Sequence, residues 1–350
     1  MDGGIPLAEG VRWNPSLLSN PHVVLIGASG SGKTQTLKSI AYELFRLETD
    51  DCRSRQIVID FHGDQEIAGE MAFALHQASP HGINPLLVNP DPEGGGPRLQ
   101  ALSALHICRR ALQLGPNQSG LLLGFLTECY EERGIRQEEK SSWSKDPPTF
   151  KDLERLISAV VDTGSRDAEH LQLKLAVTMQ YGIFTRPQPR ELLSEESPAL
   201  VRLDVSRLPP ELAVIAAESL ARQLMAQHRL LGESRRRWPR TFLFIDEARE
   251  MPRSTGNACD RIVADGRKFG LALVLASQSE RHLSADVIAN SATKVVLAVD
   301  QTEVAAVARK FRFPEYEVAM LRPLEALCRF GTHQVRLSPT PYFRKVGHEA

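Results

Sequence analysis

PHVVLIGASGSGKTQTLKSI, Pro21 to Ile40, is the stretch whose reading decides the fold. Val23 to Ile26 is a short apolar run with the character of a buried strand, GASGSGKT (Gly27 to Thr34) follows it directly, and a helix-forming run comes next. The spacing G-x-x-x-x-G-K-[ST] between a strand and a helix is the P-loop pattern. Glycines at 27, 30 and 32 permit backbone angles that bring several N–H groups round to one side. Together with the helix N-terminus these donors make a cradle for a polyphosphate. The predicted cradle comprises Gly27, Ala28, Ser29, Gly30, Ser31, Gly32, Lys33, Thr34 and Gln35. In it Lys33 adds a point charge for the β- and γ-phosphates, and Thr34 offers its hydroxyl to Mg²⁺. The pattern predicts a nucleoside triphosphate site, with ATP and Mg²⁺ as cofactors.

A second apolar run, Phe242 to Ile245, ends in Asp246-Glu247. A buried strand that closes on two carboxylates is poor design for stability, because each must be solvated or paired. It suits a nucleotidase, in which Asp246 holds Mg²⁺ and Glu247 polarises the attacking water. LALVLAS, 271–277, is a further buried strand, and it places Gln278 at the same edge as a candidate γ-phosphate sensor. Arg261, Arg267 and Lys268 lie on the preceding helix, read as about Asn257 to Phe269. Solvation is the first reading for Arg261 and Lys268, whereas an arginine there can also serve a nucleotide held by a neighbouring subunit.

Composition sets the bounds. At 350 residues, 42% hydrophobic and 24% charged, the chain reads as a soluble globular protein with room for one large α/β domain or a domain with a sizeable insertion. Lys and Arg total 42 against 43 acidic residues, a balance that neither argues for nucleic acid nor excludes it. The five cysteines show no metal-ligand spacing and suit a reducing, cytoplasmic setting. No apolar run is long enough to span a bilayer, and the first ten residues lack a signal layout.

Along the chain, residues 1–98 read as the first part of the ATPase core and 199–350 as the second, with 99–198 a helical insertion. QIVI, 56–59, predicts a strand ending in Asp60-Phe61-His62-Gly63-Asp64 near the nucleotide edge. Asp60 suits two roles equally, orienting water or Mg²⁺ and capping its own loop, while His62 reads as structural. A helix is expected over about 65–78 and a strand at LLV, 86–88. Thr149 with Asp152 marks a helix start. The basic stretch Arg235 to Arg240 is compatible with phosphate contact, and its Trp238 either stacks on a base or packs the loop. ALCRF (326–330) and QVRL (334–337) predict a closing hairpin, with His333 in its turn.

The order of these parts resembles the HerA/FtsK group of P-loop ATPases, and within it the HerA-like and conjugative coupling or type IV secretion ATPases. The resemblance rests on GASGSGKT, VIDFHGD, GINPL, VRLDVSRLP, FLFIDEA, GRKFGLALVLASQS and ANSATKVVLAV, so it covers nearly the whole chain. GRKFGLALVLASQ is the most discriminating piece. The resemblance implies a RecA-like P-loop NTPase fold, α/β with a mainly parallel central sheet, assembled as a homo-oligomeric, hexameric ring that translocates double-stranded DNA. It implies Lys33 and Thr34 on phosphate and Mg²⁺, Asp246 and Glu247 on Mg²⁺ and water, Gln278 as sensor, and Arg267 as a finger acting across a subunit boundary. A nuclease partner in DNA processing or antiphage defence is a further implication.

The chain also departs from the group. The P-loop begins at Gly27, leaving no room before it for the N-terminal β-barrel of HerA-type proteins, and neither the membrane helices nor the winged helix of FtsK-type proteins is visible. A pared-down motor is therefore expected. The competing reading is a secretion- or assembly-type ATPase that acts on a protein partner.

Overall fold

Four nearly unbroken apolar runs dictate the centre of the molecule, since strands covered on both faces carry no polar alternation. In a computed structural model that describes residues 4–47, 52–195, 199–252 and 256–347, these runs are neighbouring strands of one sheet. The first elements are an antiparallel pair, β1 (Ile5–Ala8) and β2 (Val11–Trp13), then β3 (Val23–Ile26), α1 (Lys33–Phe45), β4 (Arg55–Asp60) and β5 (Met71–Ala74). Four helices follow: α2 (Pro97–Ala111), α3 (Pro116–Glu132), α4 (Phe150–Val161) and α5 (Arg166–Tyr181). Next come β6 (Leu200–Asp204), α6 (Pro210–Leu230), β7 (Thr241–Ile245), α7 (Ala258–Arg261), α8 (Arg267–Phe269) and β8 (Leu271–Ser277). The chain closes with α9 (Ala285–Ala289), β9 (Thr293–Leu297), α10 (Val304–Phe311), α11 (Glu315–Ala319), β10 (Ala326–Phe330), β11 (His333–Leu337) and α12 (Tyr342–Val346). The large sheet has the order β11-β10-β9-β3-β8-β7-β4-β6-β5. From β9 to β6 the strands run parallel, and β10 and β11 add an antiparallel edge.

The chain forms two compact units. Met1–Ala72, Glu195–Asp204 and Gly232–Ala350 make one, and Phe73–Ser194 with Val205–Leu231 make the other. In the first unit, α1 presents Leu37, Ile40, Ala41 and Leu44 to one face of the sheet, where Val23, Leu25, Phe242, Phe244 and Val295 are buried with them. Trp13 joins this core and donates its indole N–H to Thr293 Oγ1 at 2.9 Å, which satisfies the polar end of a buried ring. Trp238 is only 2% exposed and belongs to the same core, so packing, not base stacking, is its role. In the second unit Thr149 and Asp152 form a capping box at the start of α4, as the sequence predicts.

Three expected elements differ. In place of a helix over 65–78 there is a loop and then β5, because Gly69 stands at φ 84 with Phe45 against it and Glu70 accepts from the Ile67 N–H. LLV at 86–88 is a turn, not a strand. Asn84 accepts from the Leu86 N–H, and a ring of amides (Asn84 N to Gln188, Gln188 to Gln223, Gln223 to Asn84 O, at 2.9, 2.7 and 2.8 Å) holds the turn. The helix expected over 257–269 is interrupted by a π turn, Ile262–Gly266. Gly266 lies so close to β8 that a Cβ there would sit 2.6 Å from the Leu271 carbonyl oxygen. Among the described residues no helix is long and apolar enough to cross a membrane.

His22, fully buried before β3, accepts the Leu273 N–H on Nδ1 at 3.1 Å and is therefore neutral. Burial, then the Arg267 charge, lowers its pKa from 6.5 to about 4. A base with a lower folded than unfolded pKa binds its proton more tightly when unfolded, so its contribution is complete above 6.5 and is lost as pH falls toward 4. Urea denaturation of wild type and His22→Asn, whose side-chain oxygen can replace Nδ1, should show wild type alone losing up to about 3 kcal/mol from this site over that interval. Parallel pH profiles of the two proteins would remove His22 as the cause.

Candidate active site

The parallel register gathers the candidate residues at one edge of the first unit. Ile26 pairs with Ser277 and Ile245 with Leu275, so Gly27, Asp246-Glu247 and Gln278 all follow strands that end side by side. The loop after β3 is pinned to its neighbours: the Gly27 N–H donates to the Ser277 carbonyl at 3.2 Å and the Ala28 N–H to the Ala298 carbonyl at 2.8 Å. A Cβ on Gly27 would meet Ser31 Oγ at 2.4 Å. Gly30 and Gly32 stand at φ 77 and 98, in the left-handed region that glycine enters freely. Gly32 is constrained twice, because a Cβ there would also lie 2.5 Å from Leu324 Cδ2. Leu324, itself at φ 66, donates its N–H to the Ser31 carbonyl at 2.9 Å. Lys33 opens α1, and the first-turn N–H groups of Lys33, Thr34 and Gln35 have no carbonyl one turn behind them. The Phe343 N–H donates to Gln35 Oε1 at 3.2 Å, which ties that side-chain oxygen away from the cradle. Ser31 Oγ is buried without a hydrogen-bond partner.

Asp60, Asp64 and Asp246 each bring an oxygen within 4.8 Å of the others. They are not equivalent. Asp60 is fully buried and saturated: Oδ1 accepts from the N–H groups of His62 and Gly63 at 3.1 and 2.7 Å, and Oδ2 from the Gln65 N–H and Arg202 Nη1, each at 3.0 Å. It caps its loop, the second of its two expected roles. The exposed Asp64 lies 3.4 Å from Thr34 Oγ1. Asp246 takes the Phe61 N–H on Oδ1 at 3.1 Å, and its Oδ2 is buried with no partner. Glu247 likewise uses Oε1 on the Arg249 N–H at 3.3 Å and leaves Oε2 buried and unpaired. Burial above all, then the charges of Asp60, Asp64 and Glu247, pushes the Asp246 carboxyl well above the usual carboxylate range.

Unpaired carboxylate oxygens beside a threonine hydroxyl suit a hard, oxygen-seeking dication, and the glycine cradle with Lys33 suits a polyphosphate. The residues present therefore fit a Mg²⁺-nucleotide. Gln278 is exposed just beyond β8 at this edge. His62 is exposed, and only its backbone N–H is tied in, on Asp60. Arg267 is not brought to the site. It stands at the amino end of β8, beside His22, and the seven residues of that strand separate it from Gln278 by roughly 20 Å.

Sequence reasoning overlooked Arg202. It is buried between Asp60, Glu70 and Asp204 at 3.0, 2.7 and 3.5 Å. Desolvation opposes its charge, but the bond to Glu70 and the surrounding carboxylates hold its pKa above the ordinary value. A charged residue inside the apolar run LVRLD was the available signal. Also missed was the anchoring beside Gln278, where Ser279 Oγ donates to Glu303 at 2.7 Å and Glu280 is paired with Lys310.

Comparisons with known proteins agree with this architecture. A family model described as the type IV secretion-system coupling protein DNA-binding domain matches residues 213–320. Among solved structures the chain is similar to VirB4 of Thermoanaerobacter pseudethanolicus, with 18% identity, 97% of each chain covered and a TM-score of 0.76. It is similar to the plasmid coupling protein TrwB in complex with ADP and Mg²⁺, with 16% identity, 97% of this chain and 90% of that one covered, and a TM-score of 0.64. TrwB in complex with a non-hydrolysable ATP analogue gives 15% identity, the same coverage and a TM-score of 0.67. Comparison with curated protein sequences returns no match. The fold is thus the RecA-like α/β fold of P-loop NTPases, with a large, mostly parallel central sheet.

Two outcomes follow from the site's electrostatics. Arg202→Met strands three carboxylates, so chemical denaturation should show a loss of about 3–5 kcal/mol; a loss under 1 kcal/mol would mean that water replaces the guanidinium. For Asp246, an acid whose folded pKa is raised, stability is complete below the unfolded value and falls as pH rises through the folded one. In cation-free buffer at pH 8, Asp246→Asn should therefore melt above wild type, and the gap should close toward pH 4. Mg²⁺ with ADP should raise the melting temperature of wild type more than that of the variant.

Proposed function

We propose that the chain is an ATP-hydrolysing motor that acts on double-stranded DNA. The observation that carries the hydrolytic part is the pair of buried, unpartnered oxygens, Asp246 Oδ2 and Glu247 Oε2, at the sheet edge that also bears the cradle of Gly27–Thr34. The DNA part is supported by the coupling-protein DNA-binding-domain model over 213–320 and by the likeness to a plasmid coupling protein. When bound, ATP with Mg²⁺ supplies the phosphoanhydride whose hydrolysis drives the motor. Lys33 and the loop N–H groups hold the phosphates, Thr34 and Asp246 hold the cation, and Glu247 Oε2 orients the attacking water and draws its proton. Gln278 reads the γ-phosphate from the end of β8. Arg267, far from this subunit's own cradle, serves the nucleotide of a neighbour in a homo-oligomeric, hexameric ring. On this reading residues 99–198 are a helical insertion in the motor core, and the protein works in the cytoplasm. Kinship with the HerA/FtsK group and cooperation with a nuclease belong to the same proposal.

ATP turnover with and without duplex DNA, at low salt, tests it. DNA should raise the rate of wild type. Glu247→Gln should lower kcat by about 10²–10⁴-fold, and Lys33→Ala should abolish turnover through lost phosphate binding. Turnover that ignores DNA would overturn the motor reading for this chain and direct attention to a protein partner.

A further inference from the structure

Three cations converge where β9, β10 and the end of α10 meet. Lys294 and Arg329 are register partners on neighbouring strands, and Arg312 caps the C-terminus of α10. Val295, the next residue on β9, faces the core shared with α1, so Lys294 points to the opposite face of the sheet. Arg329 donates from Nη2 to the Arg312 carbonyl, lies 5.1 Å from the centroid of the Phe313 ring, and has Gln334 as its partner on β11. Lys294 spends one donor on the Ser291 carbonyl. Among the described residues no carboxylate pairs with any of the three; Glu280 is paired with Lys310, Glu303 with Arg281 and Glu325 with Arg336.

Such clustering is unfavourable inside the chain alone. Burial, then Arg329 and Arg312, lowers the Lys294 ammonium to about 8. Burial and Arg312 also lower Arg329, whose Nε is buried without a partner. Arg312 stands at φ 59 and ψ 48, a left-handed conformation that helix ends ordinarily give to glycine. A strained, charged residue kept at such a position points to a use for its head group. A counter-anion from outside removes the repulsion, and cations spread over two strands and a helix end suit a charged backbone better than a single enclosed ion.

We propose that Lys294, Arg312 and Arg329 form a phosphodiester-binding site through which the chain grips the DNA backbone without regard to sequence. The site rests on the motor reading and deepens it. It lies apart from the nucleotide cradle: Lys294 pairs with Val24, three residues before Gly27, and Arg312 lies at the opposite end of α10 from Glu303, which holds the loop beside Gln278.

Fluorescence anisotropy with a labelled duplex, over about 50–200 mM salt, tests the site. Lys294→Gln/Arg312→Gly/Arg329→Gln should weaken binding at least about 10-fold and flatten the log–log salt slope by roughly two to three. Arg312→Gly alone should flatten it by about one. Glycine suits that backbone, so this variant should melt at or above wild type, which separates lost charge from lost fold. Equal affinity and slope for wild type and the triple variant would overturn the site and leave the motor reading standing. It would also be overturned if the loss appeared only in Arg235→Gln/Arg236→Gln/Arg237→Gln, or if inorganic phosphate bound at the cluster while the DNA slope stayed unchanged. Wild type that binds no duplex at low salt would overturn the motor reading, and this site with it.

Discussion

The pairing of Arg202 with Asp60 is the interaction on which the acidic edge depends. Three aspartates crowd within reach of one another at the ends of β4 and β7 and in the loop between β4 and β5. Three free carboxylates so placed, Asp60 and Asp246 buried and Asp64 exposed, would repel strongly. Arg202 neutralises one of them, and the turn from His62 to Gln65 takes up the same carboxylate's remaining lone pairs. That turn carries Asp64 to Thr34 and lets the Phe61 N–H orient Asp246. Asp60 is thereby removed from the chemistry, and the unsatisfied oxygens fall on Asp246 and Glu247.

Unsatisfied buried oxygens are rare because each carries a desolvation cost with no compensating bond. Three of them, Ser31 Oγ, Asp246 Oδ2 and Glu247 Oε2, lie at one sheet edge, in and beside a loop whose glycines leave room for a ligand and whose helix has a bare first turn, which makes that edge a place prepared for a charged guest. The rest of the first unit holds this arrangement still. The Ser277 and Ala298 carbonyls fasten the loop from either side of β3, and Leu324 closes over Gly32. The cations at 294, 312 and 329 show the same logic with the opposite sign, where charge of one kind meets no opposite charge among the described residues.

The strands and the P-loop were legible because each is encoded locally. An apolar run of four to seven residues followed by glycines, or by two acids, states its structure within a short window. The failures are also physical. The stretch 65–78 carries enough apolar residues to suggest a helix, yet Gly69 at positive φ and the demand of Arg202 for Glu70 override that propensity. LLV at 86–88 is apolar enough to suggest a strand, but Asn84 supplies a closer set of hydrogen bonds to the backbone and amides around it.

By itself the sequence determined where the glycine loop, the acidic strand end and the parallel sheet lie, since glycine freedom, apolar periodicity and strand polarity act between near neighbours. Only the tertiary structure decided which acid is spent on structure and which keeps an open oxygen, because Asp60 and Arg202 meet across 142 residues. It also decided that Trp238 is core and that Arg267 stands at the far end of β8 from Gln278. Those outcomes depend on which side of the sheet a residue faces and which partners arrive from distant segments, and no local pattern carries that information.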